Sequence, residues 1–233
     1  MLAYRYIEDF NLILIPLDYF EIVLWILLCG VLGMISYLFI KESKKNKMFI
    51  YPALFFILNI GARIIRLIAK FSIGHPYGFK DFEGIQLILC IIYLLCTYLA
   101  LFFYYIYLEK DLLKPTHHFF SIMVIIVIVL SFFNYLIPIM FFILIIPFLI
   151  AVLGVPGCYL YIAKISTEKK RVHALLMMIG LLLFIFGISF DAPTTAYFWK
   201  NVPSMEEFAQ FSSPLLQIFG AIIFRYAFYL EKK

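Results

Sequence analysis

Charge is what this chain has least of. Asp, Glu, Lys and Arg make up 14% of its 233 residues and hydrophobic residues 65%, where an ordinary soluble domain carries about 25% and 45–50%. A water-soluble core of this size cannot hide that excess, so lipid must solvate most of the surface. Cysteine is equally uninformative as a framework. Cys29, Cys90, Cys96 and Cys158 all lie inside apolar runs, no loop offers a disulfide partner, and none sits with a histidine at metal-ligand spacing. They read as small buried hydrophobes.

Catalytic signatures are absent too. The sequence has no phosphate loop, no Gly-x-Ser-x-Gly and no His-Glu-x-x-His. His75, His117, His118 and His173 fall in loops or at helix ends, so one intramembrane zinc site cannot gather them. The last apolar stretch, 205–230, has no lysine for a retinal Schiff base. The third ends Tyr107-Leu108-Glu109-Lys110-Asp111, not Asp-Arg-Tyr, and no Asn-Pro-x-x-Tyr follows in the last. With no nucleophile, acid–base pair or metal set converging, the chain is read as a non-enzyme without a cofactor. Residues 1–20 are not expected to be a cleaved signal, since Glu8, Asp9 and Asp18 interrupt them and Arg5 is their only basic residue. Residues 1–18 are expected to form an exterior segment lying in the interface, ahead of a single membrane domain over 19–233.

What is present is a series of apolar runs. A hydrocarbon core of about 30 Å needs about 20 apolar residues per helix, and seven segments qualify: 19–41, 48–72, 84–108, 118–137, 139–164, 173–191 and 205–230. Phe119 to Ala163 is 45 residues without a charge, too long for one span and right for two. Asn134 and Pro138 supply the break. Ser204 and Glu207 match a capping box, placing the start of the last helix there. The fold class is therefore an all-α integral membrane protein, a bundle of seven transmembrane helices.

Lys and Arg placement gives its direction. Thirteen of nineteen belong to one set of connections, from Lys41 through Lys110 and Lys170 to Lys233, and only Arg5, Lys80 and Lys200 to the other. That puts the N-terminus outside and the C-terminus in the cytoplasm, most simply in the plasma membrane. The net charge of +5 sits in these short loops, so it points to the bilayer and not to nucleic acid.

Three basic residues break the pattern. Asn59, Arg63, Arg66 and Lys70 fall within roughly 60° of arc on one helix, spread over about 16 Å. Ionisable residues inside a membrane mark a functional site unless they merely cross-link helices. Glu21, opening the first span, and Asp191, closing the sixth, are the counter-charges expected at that level. Those six residues form the candidate ligand site, suited to a carboxylate or phosphate because Arg grips such groups with two prongs. Ser36, Thr97, Ser213 and Gln217 read as interhelical hydrogen-bond glue, and Phe102 to Tyr107 as belt or packing.

In helix count and topology the chain resembles the seven-helix membrane modules that prokaryotic sensor proteins carry at their N-termini, without any shared motif. The expectation is a receptor-like or sensor-like protein that binds an anionic small molecule or lipid headgroup from outside. Its signal would pass to a separate cytoplasmic partner. An organic-anion carrier and a non-enzymatic scaffold, whose charges only lock helices, are the alternatives.

Overall fold

The computed structural model describes residues 16–72, 85–111, 113, 116–136, 140–191 and 203–231. Seven α-helices carry nearly all of them: α1 (Pro16–Ser43), α2 (Ile50–Ser72), α3 (Ile85–Asp111), α4 (Phe119–Leu136), α5 (Met140–Ile165), α6 (Glu168–Asp191) and α7 (Pro203–Glu231). A 3-10 turn, Lys47–Phe49, leads into α2, with the Asn46 side chain accepting the Met48 N–H at 3.0 Å. No strand occurs among the described residues. Six helices hold a segment long and apolar enough to cross a membrane, and α4 holds a shorter apolar one, Phe119–Ser131. The chain is a membrane helical bundle.

Consecutive helices pack side by side and run in alternating directions. α1, α3, α5 and α7 end, and α2, α4 and α6 begin, at one face, which we call the basic face after Lys41, Lys44, Lys45, Lys47, Lys110, Lys164, Lys169 and Lys170. Charged contacts close this face. Arg225 on α7 reaches Glu42 on α1 at 2.8 Å and lays its guanidinium over Phe39, 5.0 Å from the ring centre. Inside it the bundle is filled by rings. Phe39, Phe56, Tyr104, Phe184, Phe224 and Phe228 are all buried, with ring centres between 4.9 and 6.4 Å apart across α1, α2, α3, α6 and α7. Tyr104 adds a hydroxyl pair with Tyr159 of α5 at 2.7 Å. Aromatic clusters of this kind bury large areas with few rotamers, so this half is plugged by packed rings. Of the aromatic set on α3, Tyr104, Tyr105 and Tyr107 are core residues, and packing is the right reading for them.

α6 and α7 meet backbone to backbone. Gly180 and Gly187 on α6 face Gly220 and Ser213 on α7, small residues spaced by seven on each helix. A Cβ on Gly220 would lie 2.6 Å from the Phe184 nitrogen, and one on Gly180 would lie 2.7 Å from the Phe224 nitrogen. The obstacle is backbone, which has no rotamer to give. Small residues allow such contact where lipid supplies no hydrophobic drive for association. Gly220→Ala is therefore expected to cost about 1–3 kcal/mol by overpacking. Gly30→Ala and Gly157→Ala, where a Cβ meets nothing within 4 Å, should be neutral or gain up to about 1 kcal/mol of helix propensity. Thermal melts of the three variants in detergent check this, and equal melts would sink it.

Several boundaries differ from those expected. α6 starts at Glu168, five residues before the apolar run. The Thr167 carbonyl accepts from the Arg171 N–H at 2.8 Å, and the Arg171 Nε donates to the Ala163 carbonyl at 3.2 Å. A polar first turn with Glu at its start is stabilised by the helix dipole, which hydropathy does not register. α7 opens at Pro203 and not at a Ser204 cap, as suits proline at a first helical position, where no N–H is needed. The interfacial segment expected over 1–18 lies outside the described residues, except that 16–18 belong to α1.

Candidate functional site: a buried arginine between α1, α2 and α3

The α2 sequence leaves little choice about which way its charges point. Ile57, Ile64 and Ile68 are exposed along one side, while Asn59, Ala62, Arg63, Arg66 and Ala69 are buried on the other. An isoleucine ridge toward lipid turns the polar arc into the bundle, where an arginine is far less costly. Asn59, Arg63 and Arg66 are 1%, 0% and 4% exposed. Arg63 is six residues inside the end of the Lys47–Ala69 segment away from the basic face, about 9 Å along the helix.

Arg63 is held by rings. Its guanidinium carbon lies 5.8 Å from the centre of the Trp25 ring on α1 and 5.4 Å from that of Tyr93 on α3, both within cation–π range. Its Nη1 donates to the Tyr93 hydroxyl at 2.9 Å. Both ring residues are themselves buried. The Trp25 indole N–H in turn donates to Glu21 Oε1 at 3.2 Å, one turn earlier on α1. Glu21 is 1% exposed. The expected counter-charge therefore reaches Arg63 through an indole and not directly. No carboxylate of the described residues lies within ion-pair distance of Arg63. A flat ring stands where a carboxylate was expected, because Trp25 is the α1 residue one turn deeper and level with the guanidinium.

The remaining donors are unused. Arg63 Nε and Nη2 are buried and have no hydrogen-bond partner, so three of the five guanidinium N–H groups gain nothing from the protein. Asn59 donates its amide to the Phe55 carbonyl at 2.8 Å, and its own Oδ1 has no partner. Buried polar atoms are nearly always satisfied, and exceptions call for an explanation such as a ligand or an ordered water.

The other candidates divide. Arg66 is buried in the same arc. The side chains of Lys70 and Asp191 lie outside the described residues, though Asp191 does close α6. Of the glue residues, only Ser213 bonds across helices, to the Gly187 carbonyl at 2.8 Å, with Gln217 donating to it at 3.1 Å. Ser36 and Thr97 instead bond back to Leu32 and Tyr93 in their own helices, the usual fate of a hydroxyl with a carbonyl four residues behind it. Cys90 and Cys158 are buried, Cys29 and Cys96 partly so, and all are free thiols.

One functional-looking residue escaped the sequence reading. Glu109, at the end of α3, is 4% exposed and caps the start of α4. Its carboxylate accepts the Phe120 N–H at 2.8 Å, the Ser121 N–H at 3.3 Å and the hydroxyls of Thr116 and Ser121. His118 Nδ1 lies 3.7 Å away. This is a structural lock at the basic face, far along the chain from the arginine arc. Among the described residues no group of three or more His, Cys, Asp or Glu could hold a metal ion.

Comparison with protein-family models, with curated proteins and with solved structures returns no match.

Proposed function

We propose that this protein is a receptor-like or sensor-like bundle of seven transmembrane helices that binds an anionic group at Arg63. In this reading its N-terminus is outside and its C-terminus in the cytoplasm of a plasma-membrane protein. One observation carries the proposal: a fully buried guanidinium, flanked by Trp25 and Tyr93, keeps two nitrogens without partners. A cation used only to lock helices would spend those donors on carbonyls or carboxylates. The polar arc lies toward the face opposite the basic one, and the aromatic plug fills the basic half. That arrangement favours a site entered from outside over the through-path an anion carrier needs. With short cytoplasmic loops, the signal passes to a separate partner.

Trp25 makes the site self-reporting. In a Trp199→Phe background, which leaves Trp25 as the only tryptophan, its emission should change when carboxylate- and phosphate-bearing metabolites are added outside reconstituted vesicles of known orientation. The change should vanish in Arg63→Met, and no labelled anion should accumulate within. Emission that ignores every anion, or responds equally without Arg63, would leave the scaffold reading. Accumulation would favour the carrier.

Orientation has its own test. Reporter fusions after Lys47, Lys114 and Lys170 should all read cytoplasmic by the excess of positive charge there. A single exterior signal among them would overturn the seven-span count.

A further inference from the structure

The two unused nitrogens of Arg63 are not an arbitrary pair. Nη1, the nitrogen on the same side as Cδ, is the one taken by Tyr93. Nε and Nη2, which remain, form the lateral edge of the guanidinium, where two N–H bonds point the same way in the plane of the group. That edge matches a group presenting two oxygens side by side, and a halide or a lone carbonyl satisfies only half of it. Tyr93 and Trp25 fix the plane of the fork through a hydrogen bond and ring contacts, so its direction is set before anything binds.

A second orphan sits one turn away on the same side of α2. Asn59 is 1% exposed, its amide N–H is committed to the Phe55 carbonyl at 2.8 Å, and its Oδ1 has no partner. That commitment fixes the amide's orientation, so Oδ1 can only accept. Residues four apart on a helix stand about 6 Å from each other at Cβ. The two orphans are complementary in kind: a buried two-donor fork that wants an anion with paired oxygens, and a buried acceptor that wants an O–H or N–H.

We infer that the site takes a small carboxylate that also bears a hydrogen-bond donor on a neighbouring carbon, such as a hydroxy or amino acid, its carboxylate on the Nε/Nη2 edge of Arg63 and its donor on Asn59 Oδ1. The inference rests on the reading that Arg63 holds an anion, and narrows it. A carboxylate is favoured over phosphate because one flat fork satisfies both carboxylate oxygens. A phosphate brings further oxygens beyond the two the flat fork holds, and Asn59 Oδ1 one turn away is an acceptor, which calls for an O–H or N–H and not for another bare oxygen. Trp25 and Tyr93, each 2% exposed, close around the guanidinium and keep the ligand small.

The test uses the purified full chain in detergent, melted with sodium chloride, acetate, glycolate, phosphate or sulfate at matched ionic strength. Acetate has the two oxygens, glycolate adds the donor, and phosphate and sulfate offer a different oxyanion. Glycolate is expected to raise the melting temperature by roughly 3–6 °C, the size of shift that about tenfold saturation over Kd gives a chain of this length. Acetate should shift it less. Arg63→Lys, which keeps the charge and loses the fork, should abolish both shifts, and Asn59→Leu should bring glycolate down to acetate. Asn59→Ala serves where the leucine variant does not fold. Equal shifts from glycolate and acetate would overturn the role of Asn59. Arg63-dependent shifts from phosphate or sulfate but from neither carboxylate would overturn the inference and leave the anion reading standing. No Arg63-dependent shift from any salt would overturn both.

Discussion

Replacing Glu109 by alanine should lower the melting temperature of the detergent-solubilised protein by roughly 6–12 °C, the equivalent of about 3 kcal/mol for a chain of this length. The reason is the number of groups that depend on one carboxylate. Two backbone N–H groups of the first turn of α4, from Phe120 and Ser121, and two hydroxyls, from Thr116 and Ser121, all donate to it. Four N-terminal N–H groups of any helix lack an internal partner, and a negative charge there is further favoured by the helix dipole. Alanine leaves the buried Ser121 N–H and hydroxyl, and the part-buried Phe120 N–H and Thr116 hydroxyl, without this acceptor. The relief of a strained turn offsets part of that loss. His117 and His118 sit in left-handed backbone at φ 48° and 66°, a region that costs side-chain-bearing residues of order 1 kcal/mol or more each and that persists only while the cap holds it. Glu109→Gln keeps an acceptor and should fall between wild type and alanine. Glu168→Gln, an exposed acid in the first turn of α6, should change stability by less than about 1 kcal/mol. Hydrogen exchange at Phe120 and Ser121 should accelerate in Glu109→Ala alone. A melt within a degree of wild type would show that the cap is dispensable.

That lock was invisible in the sequence for a physical reason. Glu109 stands beside Lys110 and Asp111 at the end of an apolar run, where a charge ordinarily meets water, and its partners are seven to twelve residues further on. Nothing in composition distinguishes a cap donated by another helix from a solvated end. Arg63 and Arg66 were legible because the contrast was reversed: charges inside a run that should have none. Their arc followed from helical geometry, and the exposed Ile57, Ile64 and Ile68 supplied the other half of the same argument. Trp25 and Tyr93 could not be picked out, since Phe, Trp and Tyr make up 20% of the chain and a ring among rings carries no signal. The α6–α7 seam did leave a trace, small residues seven apart at Gly180 and Gly187 and again at Ser213 and Gly220. Its meaning depends on the two helices being neighbours, which spacing alone does not state. The start of α6 was missed because hydropathy marks where lipid begins, whereas a helix begins where its backbone first finds partners.

Arg63→Met should raise the melting temperature of the ligand-free protein, by about 1–3 kcal/mol or roughly 3–10 °C. The sign is the informative part. A buried cation is costly to desolvate, and it stabilises a fold only when carboxylates or carbonyls satisfy its donors. Here one nitrogen has an acceptor, the Tyr93 hydroxyl, and two have none. The rings of Trp25 and Tyr93 return some of the cost as cation–π attraction, about 0.5–2 kcal/mol each, but they do not replace the missing acceptors. Methionine fills similar volume, adapts its shape and brings no charge. Stability would then be gained where binding is lost, the trade expected of a site held in readiness for a partner. A pure lock predicts the reverse, because removing one member of a satisfied buried network costs about 3–5 kcal/mol. Tyr93→Phe separates the two cases further. If Arg63 is a lock, losing its one acceptor should cost about as much as losing Arg63 itself. If it is a binding group, Tyr93→Phe should destabilise the protein while Arg63→Met stabilises it, and adding Arg63→Met to Tyr93→Phe should restore the melt by removing the cation left stranded. A fall in melting temperature for Arg63→Met as large as that for Glu109→Ala would end the ligand-site reading and return the arc to the scaffold.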